Sequence, residues 1–243
     1  MKKRTTIKEM NAICTMLIED FLKRFHYSNT RVVDIEAFVT KYLGTTILYE
    51  NFASSVPGRG GFISDGECAL PVLRDGMRQF VIFPENVIVI DNSLKDMDNL
   101  AKLRFTIAHE AAHFIMNKHV SGDFTAAFHT EFVDGEYYTP QMLKEMMSLT
   151  ETITNRAAAC LLMPDFIVEK MLKKYNGGNK VTIYSGSAIV IPNESKSIIK
   201  MMADSMGVSY SACYYRLQEL SILDERPLEE YAAKFILQEE EHV

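Results

Sequence analysis

Residues Arg104–His113 read RFTIAHEAAH and contain the pattern His109-Glu110-x-x-His113. On a helix, side chains four positions apart share one face. Both imidazoles therefore project towards a single point, an arrangement that suits two of the ligands of a tetrahedral zinc. Glu110 follows the first ligand and stands outside the coordination sphere. Its carboxylate can reach a water held by the metal, whose pKa zinc lowers towards about 7, and take its proton. The chemistry these residues could do is metal-assisted hydrolysis. The pattern is short. Its context is an apolar, Pro-free helix that follows a set of strands. The plain alternative is two surface histidines on a helix flank.

A catalytic zinc needs a third protein ligand and one open position. His119 completes HExxHxxxxxH, but that spacing works when a Gly at position 116 lets the helix break, and position 116 is Met. Glu151 lies 38 residues after His113, in the run ETITNRAAACLLMP (151–164), with Asn155 one turn further on, so both can face the metal helix. An acid on an otherwise apolar helix face is costly to bury without a partner, and a cation supplies one. Glu151 is favoured over His119, with Glu145 on the same helix in reserve; a surface salt bridge is the alternative role for Glu151. Tyr137, Tyr138 and Tyr184 are candidates to steady the oxyanion of a tetrahedral intermediate, with no ground for choosing among them. Arg104 is expected to pair with a nearby carboxylate. His26, His129 and His242 are read as structural or exposed.

Stepping outward along the chain, apolar periodicity predicts helices over 5–25, 31–43 (closed by Gly44), 96–118 and 140–163. Pro164 stops the last of these, and Asp165 caps a short helix to Tyr175. Strands are expected over 45–50, 69–73, 79–83 and 86–90, with 51–67 as loop. A hairpin is expected from 181–184 and 188–191, turning on Ser185-Gly186-Ser187. Helices follow over 194–206, 210–220 and 227–239. In the segment Ala203-x-x-x-Gly207-Val208-Ser209, Gly207 permits a tight turn and Ser209 caps the next helix, as in a helix-turn-helix.

The 243 residues carry 47% hydrophobic and 24% charged side chains, which excludes disordered, collagen-like and low-complexity classes. A chain this long buries about 70% of its unfolded surface without needing a staple. Net charge is −6, and the segment from Glu219 to Val243, with eight acids and two bases, accounts for all of it. That balance argues against direct nucleic-acid binding, which needs a basic footprint. The helix 210–220 offers only Arg216 as a strong cation. Four scattered cysteines without a CxxC, no apolar h-region and no stretch of 18 apolar residues lead us to expect a reducing, cytoplasmic location and no membrane segment.

The pairing of RFTIAHEAAH with ETITNRAAACLLMP resembles the ImmA/IrrE family of metallo-endopeptidases, HExxH zinc peptidases of gluzincin-like type. The likeness extends to the preceding hairpin and to MADSMGVSYSACYYRLQELSIL, so it spans roughly residues 45–225. It implies His109, His113 and Glu151 as metal ligands, Glu110 as catalytic base, and one catalytic Zn2+. The chain departs from the family in carrying Ala111-Ala112 where many members have Leu-Gly after the HE pair, Ile153 where many have a second acid, and Ala157 where many have Phe. The resemblance also implies a substrate class: helix-turn-helix repressors, cut at one site to relieve transcriptional repression, often in mobile genetic elements.

The expected fold is α+β: a small twisted sheet packed on a zincin-like HExxH helix, with a C-terminal helical, helix-turn-helix-like subdomain. The expected organisation is N-terminal helices over 1–44, a metallopeptidase core over 45–176, and a hairpin, helical subdomain and acidic tail over 177–243. An extended substrate segment is expected to add to a sheet edge near the metal. Two other readings are a DNA-binding regulator with a vestigial metal site and a protein-interaction module whose zinc is structural.

Overall fold

Ile88, Val89 and Ile90 are consecutive and all fully buried, so the strand they form must be covered on both faces. The computed structural model describes residues 7–53, 60–95, 100–119 and 140–231, and of 7, 118–119 and 140–150 the backbone alone. The fold is α+β, and the chain divides into two compact units, residues 1–164 and 165–243.

In the first unit, β5 (Ile88–Asp91) is the centre of a mixed three-stranded sheet. It pairs parallel with β1 (Ile47–Glu50) and antiparallel with β2 (Gly61–Ile63), in the order β1-β5-β2. Strand β2 lies within the span 51–67 that its Gly and Ser content marks as loop, so that expectation is corrected. Three residues beginning with Gly carry too little apolar alternation to be legible, and β5 supplies the ladder that makes them a strand. Strands β3 (Ala69–Arg74) and β4 (Met77–Ile82) form a separate hairpin. Asp75 and Gly76 both have positive φ, the conformation of a two-residue turn that follows the twist of the flanking strands. Leu70, Val72 and Val81 of the hairpin pack with Phe62 of β2 and Val89 of β5.

The other face of the sheet carries α3 (Leu100–His119), which lies against β2 and β5. Helix α4 (Pro140–Leu162) packs along α3, and α1 (Ile7–Arg24) packs on α4, with the Cys160 thiol beside the Thr15 hydroxyl; Met10, Cys14, Leu17, Ile18 and Phe21 form the buried stripe of α1. His26 closes α1 in the left-handed conformation (φ 57°), a structural role. The helix expected over 31–43 starts later. Asp34 caps α2 (Ile35–Ala37) by accepting from the Ala37 N–H at 3.0 Å, and the chain continues as a π-helical segment, Phe38–Tyr42, ending at Gly44 (φ 70°).

The second unit begins with α5 (Asp165–Asn176). Strand β6 (Val181–Ser185) does not form the expected hairpin with 188–191. Its partner is β7 (Leu223–Pro227), parallel, and Val190 makes only a single bridge to Tyr184. The sequence of β7, LDERP, has no apolar alternation, and Pro227 ends a strand instead of opening a helix. A helical turn covers 228–231, and the remainder of the helix expected to 239 lies outside the described residues. Helix α6 (Asn193–Met206) ends at Gly207 (φ 65°), and Ser209 caps α7 (Tyr210–Glu219) by accepting from the Ala212 N–H at 3.1 Å. Among the described residues no helix is long and apolar enough to cross a membrane.

Candidate metal centre

Helices α3 and α4 pack along one another. Ala112 of α3 stands one turn from His109 and from Met116, and Ala158 of α4 one turn from Thr154, so helical spacing puts each on the face turned to the other helix; both are fully buried, and small residues let two helix backbones approach closely. Below them the Thr154 hydroxyl donates to the Met116 sulfur at 3.5 Å, both residues buried. Met116 is thus core, and α3 runs through it without the break that would turn His119 back. The side chains of His119 and Glu145 lie outside the described ones, as do Tyr137, Tyr138, His129 and His242.

This close approach brings Glu151 of α4 opposite the histidine pair of α3. The His109 and His113 rings are 4.8 Å apart and nearly perpendicular, with their Nε2 atoms 3.1 Å from each other. Glu151 places Oε2 3.3 Å from His109 Nε2 and Oε1 3.5 Å from His113 Nε2. Among the described residues, both imidazoles aim Nε2 at one another and at the acid. In a tetrahedral site with bonds of roughly 2.0–2.1 Å, two ligand atoms stand about 3.4 Å apart. The three separations observed match that edge, and two neutral imidazoles with one carboxylate are a donor set that a divalent metal takes with a position left over. The residues present therefore fit a metal ion.

Around the triad, the Asn155 Oδ1 accepts from His109 Nδ1 at 3.0 Å, which fixes the tautomer that leaves Nε2 free to ligate. Glu151 is 46% exposed, so the site opens to solvent on its side, while His113 and Glu110 are buried. Hydrogen bonds from His109 and then His113 hold the Glu151 carboxyl well below the usual carboxylate range, against the effect of its partial burial. Burial pulls the His109 pKa down, but the bond to Glu151 and the charges of Glu110 and Glu151 outweigh it, and the net direction is up. Such a site attracts a cation.

The sheet edge completes the geometry. A Cβ on Gly61 would lie 2.7 Å from Glu110 Oε1, 2.7 Å from Thr106 Cγ2 and 2.9 Å from Glu110 Cγ, so only glycine lets β2 run this close to the carboxylate. The Asp91 N–H donates to the Gly60 carbonyl at 2.9 Å, and the Ser64 N–H to the Val87 carbonyl at 2.9 Å. Gly60 and Ser64 thus face β5, and by strand alternation Gly61 and Ile63 turn their N–H and C=O to the outer edge. Among the described residues β2 has no further strand on that side. Sequence reading missed Gly61; the signal available was the Gly60-Gly61 pair ahead of Phe62 and Ile63, a mark of close backbone approach.

Arg104 donates to the Val33 carbonyl at 3.0 Å, with the Asp34 and Glu36 carboxylates in its field, and so ties the start of α3 to the N-terminal segment. Tyr184 is buried in β6 of the second unit with its ring against Tyr231, 4.9 Å between centroids.

The family model described as the IrrE N-terminal-like domain, a peptidase family, matches residues 73–218, more than half of the chain. No curated protein matches the sequence.

Proposed function

The chain belongs to the IrrE-type metallopeptidase family, and on that premise we propose that it is a zinc-dependent, site-specific endopeptidase that cuts a helix-turn-helix repressor-type protein in the cytoplasm and so relieves transcriptional repression. The observation that carries the hydrolytic part is the convergence of His109, His113 and Glu151 at tetrahedral-edge distances beside the Glu110 carboxylate. The repressor substrate and the regulatory setting come from the family resemblance.

His109, His113 and Glu151 would hold the zinc. When bound, it supplies Lewis-acid polarisation of the scissile carbonyl and makes water acidic enough to lose a proton near neutral pH. The rest is done by the chain's own residues. Asn155 keeps His109 in one tautomer and orientation. The outward main chain of Gly61 and Ile63 gives an extended substrate an antiparallel ladder, which lays its backbone past Glu110. Glu110 accepts a proton from the attacking water as the C–O bond forms, and returns it to the amine nitrogen as the C–N bond breaks. An extended polypeptide is the substrate shape that an open strand edge fits.

The geometry of α7 weighs against the DNA-binding alternative. Arg216, its one strong cation, is 1% exposed and donates to Glu219 at 2.8 Å. The exposed positions Ser211, Tyr215 and Gln218 bring no positive charge to a phosphate. We read α6–turn–α7, helix-turn-helix-like in its turn and cap, as a structural subdomain.

The test is co-expression with a helix-turn-helix repressor, taken from the reading frame beside the gene where that frame encodes one. The parent is expected to cut it at one site. Glu110→Gln is expected to retain stoichiometric metal and lose cleavage. A Glu110→Gln chain that cuts at the parental rate would refute the mechanism.

A further inference from the structure

The hairpin β3–β4 has two unlike faces. Its register pairs Ala69 with Ile82, Pro71 with Phe80 and Leu73 with Arg78. Directly opposed residues of an antiparallel ladder share a face, so these six lie on one side, and Leu70, Val72 and Val81 lie on the other. The second side is buried against Phe62 and Val89, on the sheet face away from α3. The first is open to solvent: Phe80 is 68% exposed, Ile82 58% and Leu73 39%. A solvated strand face ordinarily alternates to polar residues, and this one does not.

The main chain along the same strand is open as well. The Leu73 N–H donates to the Asn51 carbonyl at 2.7 Å, and the Ala53 N–H to the Pro71 carbonyl at 2.9 Å. Pro71 and Leu73 therefore turn their backbone groups away from β4. The residues opposite them must turn theirs away from β3, so the N–H and C=O of Phe80, and by alternation those of Ile82, point outward. Among the described residues no strand lies on that side of β4.

We propose that the β4 edge is a docking site for an extended segment of a partner protein, carrying apolar side chains at every second position, which adds to the hairpin as a third strand. The open ladder sets the backbone shape of the occupant, and the exposed Phe80–Ile82–Leu73 face sets its side-chain period. The size of the patch excludes a second copy held by this face alone. Three partly exposed side chains offer on the order of 300 Å², against roughly 800 Å² per partner in a stable dimer. The Arg78 guanidinium lies 5.1 Å over the Phe80 ring, so one end of the face is positive and suits a carboxylate on the incoming strand. The site lies across β5 from α3 and does not rest on the proteolytic reading.

The test uses the full chain and a capped ten-residue peptide of alternating valine and threonine with glutamate at each end. Fluorescence anisotropy measures its binding, and amide hydrogen exchange locates it. The expected result is slowed exchange at Phe80 and Ile82, with at least tenfold weaker binding by Phe80→Thr and by Ile82→Thr. A peptide methylated on alternate backbone nitrogens is expected to bind at least tenfold more weakly than its parent. Binding that ignores backbone methylation, protection away from β4, or no binding at all would overturn the proposal. So would a concentration-dependent dimer abolished by Phe80→Thr in sedimentation equilibrium, which would give the edge to a second copy.

Discussion

Replacing Gly61 with alanine is the smallest change that tests whether β2 and the Glu110 carboxylate are coupled. Gly61 is not in the left-handed region, so alanine can adopt its backbone, and the effect is steric alone. The new methyl would sit 2.7 Å from Glu110 Oε1 and from Thr106 Cγ2, where ordinary carbon contacts begin near 3.5 Å. Something must move by about 0.8 Å. The carboxylate end of Glu110 is the most mobile of these atoms, so it moves first. The stability cost should fall at the low end of the overpacking range, about 1 kcal/mol. A displacement near 1 Å of a group that must meet a water and a carbonyl costs about a hundredfold in rate, or roughly 2.7 kcal/mol of transition-state stabilisation. His109, His113 and Glu151 are untouched, so metal content should stay stoichiometric. The assay is repressor cleavage under single-turnover conditions, with metal content by mass spectrometry and a thermal melt on the same preparation. Parental cleavage at unchanged melting temperature would mean that β2 does not run beside Glu110, and the account of substrate alignment would fail with it.

Other consequences of the geometry are equally direct. Asn155→Ala removes the acceptor on His109 Nδ1 and should weaken metal affinity by about 10–100-fold, while Asn155→Asp, which restores an acceptor, should recover most of it; equal affinities in competition titration would contradict the orienting role. Because α3 and α4 also pack together through buried side chains, Met116 against Thr154 among them, a chelator should strip the metal and leave far-UV circular dichroism unchanged, and a chelator-induced melt would favour the structural-zinc reading. Burial first, and then hydrogen bonds to Asp20 and Glu36, push the Tyr42 and Tyr49 hydroxyls from 10.0 up to about 12. Their raised values add stability that is complete below pH 10 and is lost as pH rises towards 12. Phenolate absorbance should show late-titrating tyrosines whose number falls by two in the Tyr42→Phe, Tyr49→Phe double variant; a titration that this variant leaves unaltered would count against those contacts.

What could be read from the sequence was what is encoded locally. The four-residue step from His109 to His113 fixes their common face whatever packs nearby, because helical period is a property of the backbone. The α6–turn–α7 unit was likewise legible, since Gly207 and Ser209 meet conformational demands of their own positions. Tertiary structure decided the rest. Glu151 reaches the histidines because alanines on two helices allow a close approach, a fact about opposing surfaces that no window of either helix contains. Gly61–Ile63 is a strand only because β5 offers it a ladder, and its first residue sits beside Glu110 only because α3 lies under that sheet. Val181–Ser185 took LDERP as its parallel partner, across two intervening helices, in place of the nearer 188–191. Parallel pairing needs a long crossover and polar strands carry little periodicity, so neither partner announces the other along the chain.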